Sequence, residues 1–109
     1  MIGILLLLAD ASVSLPDPAI VAALSQYGDC FRQQVRKSAP KLAERQPAYA
    51  AAETACSSVR ANSASVIEER WRARSEPANP KLTGDRYVGY YLAGVQYELD
   101  VEIIGRRWK

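Results

Sequence analysis

The sequence predicts an all-α protein: an antiparallel helical hairpin over about 18–38 and 47–75, tied by one disulfide, with a third helix over about 83–105. Three observations carry this. Two stretches repeat apolar residues at steps of three and four, prolines stand where a helix must start or stop, and Cys30 and Cys56 lie at similar distances from the bend between the stretches.

The first helix begins at Pro18. Asp17 suits the cap position, because its carboxylate can accept from free N–H groups of the first turn. Proline suits the first helical position, where its missing N–H would be unpaired anyway. Ile20, Leu24, Tyr27, Phe31 and Val35 then fall along one stripe, with Ala23 and Cys30 beside it and Gln33, Arg36 and Lys37 outside it or near its end. Ser38-Ala39-Pro40 ends the helix, since the residue before a proline avoids the α region.

Residues 39–46 read as the connection, with one helical turn available to 41–46 before Pro47 interrupts it. The second helix starts at Pro47 and carries its stripe on Tyr49, Ala52, Cys56, Val59, Ser63, Val66, Ile67 and Trp71. Its run from Ala48 to Ala52 has the best helix propensity in the chain, and the small residues at 51, 52 and 55 permit close approach of a neighbouring helix. Glu76-Pro77-Ala78-Asn79-Pro80 stops it and serves as a linker.

The cysteines test the hairpin. Cys30 precedes the end of the first helix by eight residues and Cys56 follows Pro47 by nine. At 1.5 Å per residue both sit roughly 12–14 Å from the bend, so antiparallel helices bring the two sulfurs to one level. The predicted pair is Cys30–Cys56.

From Thr83 onward two readings compete. A helix capped by Thr83 places Val88, Tyr91, Leu92, Val95, Leu99 and Ile103 on one face. A β-hairpin turning at 93–94 pairs Leu92 with Val95, Tyr90 with Tyr97 and Val88 with Leu99, and the tyrosine and valine content suits strand. The helix is the preferred reading, because a lone two-stranded hairpin is marginal and Ala-Gly is not a favoured turn pair. Gly89 and Gly94 oppose the helix by about 1 kcal/mol each, which packing can override.

The N-terminal residues bear on compartment. Ile2 to Leu8 is an apolar run interrupted only by Gly3, and it leads into Ala9-Asp10-Ala11, whose small first and third residues suit signal-peptidase cleavage before Ser12. Residues 1–11 are therefore expected to be a signal peptide, and 12–109 a single small helical domain in the periplasm or secreted. No positively charged n-region precedes the run, so the signal is expected to be truncated at its N-terminus. An oxidising compartment is also where a cysteine pair becomes a disulfide.

Composition narrows the function. There is no histidine among 109 residues, which removes Ser-His-Asp and Cys-His hydrolysis and the commonest metal ligand, so no metal site and no cofactor is expected. Fourteen Lys and Arg against 12 Asp and Glu give a net charge of +2, too little to steer nucleic acid. The close carboxylates are Glu68 with Glu69, and Glu98 with Asp100 and Glu102; with no cleft evident around them they read as surface, not as an acid–base pair. Tyr90 and Tyr97 lie off the main face of the third helix, and with Trp108 they form the candidate binding surface. Arg70, Arg72 and Arg74 around Trp71, and Arg106-Arg107-Trp108-Lys109, are short basic stretches that could touch an anionic membrane or complement helix ends. The sequence thus points to an exported, non-catalytic helical protein that binds an envelope protein. The alternatives are a membrane-surface protein retaining its apolar N-terminus, and a cytosolic subunit of a larger complex.

Overall fold

The structure, a computed structural model, describes residues 17–74 and 82–107. The expected signal segment 1–11, the linker 76–80 and Trp108 lie outside the described residues. The fold is all-α, with helices α1 (Pro18–Ser38), α2 (Arg45–Ala55), α3 (Ser57–Ala73) and α4 (Gly84–Arg107). No strand occurs among the described residues, so the hairpin alternative at 93–94 is overturned: that stretch lies within α4.

Helix α1 has the bounds its sequence predicts. The Asp17 carboxylate accepts from the Ala19 N–H at 2.8 Å, and Pro18 opens the helix. At the other end Ala39 takes a left-handed conformation (φ 46°) and its N–H donates to the carbonyls of Val35 and Arg36, closing the last turn. A 3-10 turn at Leu42–Glu44 follows. Its entry is fixed by Glu44, whose carboxylate accepts from the Lys41 N–H at 2.9 Å.

The second stretch departs from its expected form in two ways. It starts at Arg45 rather than Pro47, because a proline in the first turn removes only an N–H that has no helical partner. It is also two helices, not one over 47–75. Cys56 leaves helical geometry (φ −102°, ψ 15°) between α2 and α3. The ladder holds on both sides, with Cys56 N–H donating to Ala52 and Arg60 N–H donating to Cys56, each at 2.9 Å. The apolar stripe therefore stays in register through the break. Ser57 and Ser58, whose hydroxyls compete for backbone groups, follow the break directly.

α1 runs antiparallel to α2 and α3. Three contacts mark the register: Cys30–Cys56, the buried Ser63 hydroxyl donating to the Ala23 carbonyl at 2.8 Å, and Arg70 donating to Asp17 at 3.0 Å. The disulfide joins the two arms as expected, with Cα atoms 6.1 Å apart. The core between them holds Tyr27, Phe31, Val35, Tyr49 and Ile67, with Val88, Leu92, Val95 and Leu99 contributed by α4. Gly84 allows α4 to begin against α3: a Cβ there would collide with the backbone carbonyl of Ala64. Thr83 caps this start, its hydroxyl accepting from the Arg86 N–H at 3.1 Å.

Asp17 ties the start of α1 to the end of α3. Its side chain is 4% exposed and faces Arg70 at 3.0 Å and Arg74 at 4.0 Å. The Ala19 N–H first, and Arg70 second, hold its carboxyl below the ordinary 3.8. A depressed folded-state pKa contributes stability above the unfolded value, which is lost as pH falls through the folded one. Urea unfolding is thus expected to show stability that holds down to about pH 5 and drops below about pH 4. Asp17→Asn should flatten part of that drop; an unchanged acid limb would assign it to other carboxylates.

Candidate functional site

α4 is apolar on two opposite faces. Its inner stripe is Val88, Leu92, Val95, Leu99 and Ile103, all 5% exposed or less. Its outer stripe is Tyr90, Gly94, Tyr97, Val101 and Ile104, again at alternating steps of four and three. At about 100° per residue the two stripes centre roughly 180° apart. The outer side chains stand in solvent: Tyr90 is 67% exposed, Tyr97 71%, Val101 53% and Ile104 42%. Nothing lies within 4 Å of where a Cβ would stand on Gly94 or Gly105, so the stripe has open notches among its large side chains.

The carboxylates on the flanks of α4 hold this face in place. Arg32 of α1 grips Glu98 through two contacts, 2.7 and 3.3 Å, and Arg36 grips Glu102 through 3.2 and 2.8 Å. On the other flank the Tyr49 hydroxyl of α2 donates to Asp100 at 2.6 Å and to the Gln96 carbonyl at 3.3 Å, with Arg45 at 3.4 Å from Asp100. At the N-terminal end Arg60 of α3 binds Asp85 at 2.7 Å, reaches Glu53 of α2 at 3.6 Å and stands over the Tyr27 ring at 6.0 Å, linking all four helices. The Arg36 hydrogen bonds hold the Glu102 carboxyl below its usual range. Burial, with Asp100 as acceptor, pushes the Tyr49 hydroxyl up. Glu98, Asp100 and Glu102 are thus clamps between helices. Glu68 and Glu69 lie exposed on α3.

The structure places Tyr90 and Tyr97 on one exposed face, as their position off the inner stripe implies. Val101, Ile104 and Gly94, which join them into a continuous stripe, went unnoticed in the sequence, although the spacing that reveals them is printed there. Tyr87 and Tyr91 pack partly buried against the core, and Trp71 meets Tyr87 edge-on at 5.6 Å between centroids. Arg70, Arg72 and Arg74 are all exposed, and Arg70 and Arg74 face Asp17.

A concavity of about 540 Å³ opens where the end of α1 and the 3-10 turn meet the last turns of α4. Leu42, Ile103 and Pro40 line it and Lys41 and Arg106 supply its charge. No hydroxyl, thiol or carboxylate side chain lines it. Among the described residues no three His, Cys, Asp or Glu side chains converge as a metal site would require, and no helix is long and apolar enough to cross a membrane. In comparisons with known proteins the chain matches no family model, no curated protein and no solved structure.

Proposed function

We propose that the chain is a small exported, non-catalytic helical protein that acts by binding a protein of the envelope through the outer face of α4. The observation that carries the binding reading is the outer stripe itself. Two tyrosines, a valine and an isoleucine stand exposed along one face of a clamped helix, an apolar stripe of the kind that marks interaction sites. Tyrosine suits such a role, giving large contact area for little lost rotamer freedom. Support for export comes from the apolar run before Ala9-Asp10-Ala11 and from the Cys30–Cys56 disulfide, a bond typical of oxidising compartments.

Intact-mass spectrometry on protein expressed in a diderm bacterial host checks the compartment. The expected result is the mass of residues 12–109, gaining two alkyl groups only when reduction precedes alkylation. A full-length chain whose two thiols alkylate without reduction would overturn the export reading.

A further inference from the structure

We propose that the occupant of the α4 outer face is a second copy of this chain, docked as an antiparallel α4–α4 pair across a two-fold axis between Gly94 and Tyr97. This rests on the binding reading above and names the partner. The stripe's own order of large and small residues argues for it. With the two helices antiparallel about that axis, Tyr97 of one copy lies over Gly94 of the other, Tyr90 lies opposite Val101, and Ile104 reaches toward Tyr87. Each large side chain meets a smaller one or a notch, and the open space at Gly94 is available to receive a ring. A parallel pair would set Gly94 against Gly94 and Tyr97 against Tyr97, leaving a gap beside a collision.

Charge does not oppose the pairing. Glu98 and Asp100, which border the stripe, are already matched within each copy by Arg32 and Arg45, and the net charge of the chain is only +2. The area suits a weak dimer. The exposed parts of Tyr90, Tyr97, Val101 and Ile104 supply roughly 500 Å² per copy, so their complete burial removes on the order of 1,000 Å² for the pair, in the range of transient interfaces. A dimer of that size is expected to form at tens of micromolar.

The test places a photo-crosslinking benzoylphenylalanine at position 97 or 101 of the full chain in its native compartment. The expected product is an adduct of two copies of this chain, with crosslinked peptides joining position 97 to the partner's 90–97 stretch. An adduct with a different protein overturns the second-copy assignment and leaves the binding reading standing. Absence of any adduct at both positions overturns the two together. Sedimentation of the protein purified from that compartment at about 100 µM gives an independent arm: twice its own monomer mass, read from the intact-mass spectrum, is expected. Tyr97→Glu should halve that mass while leaving the circular-dichroism spectrum unchanged, since the 71% exposed ring takes no part in the core. A monomer before substitution overturns the proposal.

Discussion

Replacing Cys30 and Cys56 together by alanine is expected to lower the unfolding free energy by about 3–4 kcal/mol. The bond closes a loop with a sequence separation of 26, and the chain-entropy account assigns that much to restricting an unfolded chain over such a span. A domain of this size has a total stability on the order of 5–15 kcal/mol, so the bond is a large share of it. The loss should appear as a fall of roughly 2 M in the urea midpoint, with a steeper slope because the released unfolded chain exposes more surface. The position of the bond sharpens the expectation. Cys56 is fully buried and stands at the break between α2 and α3, so the crosslink holds both segments against α1 through one residue. A midpoint shift below about 0.5 M would mean that the apolar stripes alone set the antiparallel register.

Phe31→Ala is expected to cost about 3–5 kcal/mol. Its ring is fully buried between Tyr27 of α1 and Tyr49 of α2, at centroid distances of 6.3 and 5.7 Å. Deleting it removes apolar area and leaves a cavity that two tilted tyrosines cannot close without giving up their own contacts, including the Tyr49 hydroxyl on Asp100. Val21→Ala on the same helix, where the side chain is 42% exposed, should change stability by about 0.5 kcal/mol or less. Equal losses at the two positions, read by urea denaturation, would contradict the placement of the core.

Much of the fold was legible in the chain because its helices are amphipathic and punctuated. The stripe from Ile20 to Val35 and the Asp17-Pro18 start gave α1 its bounds, and the spacing of Cys30 and Cys56 from the bend gave the crosslink. The break at Cys56 was not legible. Periodicity reports which residues share a face, and that face is continuous through Cys56, so one residue leaving helical geometry makes no trace in the pattern. Gly84 was missed for a related reason: its importance lies in Ala64, a carbonyl twenty residues away in the chain, and no local signal announces that approach. At the candidate site, Tyr90 and Tyr97 could be picked by elimination from the inner stripe of α4. Attention to tyrosine alone hid the valine, isoleucine and glycine that complete the face. The clamping of Glu98, Asp100 and Glu102 by residues of α1 and α2 is likewise a tertiary fact, set by how the elements pack.

Every ion pair described above takes its cation from an arginine, and ten of the 14 basic residues are of that type. Hydrogen bonds to Glu98, Glu102 and Asp85 raise the pKa values of Arg32, Arg36 and Arg60 above the already high value of a free guanidinium. Burial raises the hydroxyls of Tyr27 and Tyr49, the two tyrosines in the centre of the molecule, so the fold holds them neutral. The charge network is therefore chemically one-sided. Up to about pH 10 alkali finds no cation in it to neutralise, whereas acid can discharge every partner carboxylate; above that pH the unfolded chain ionises the tyrosines that the fold keeps neutral, and stability falls there too.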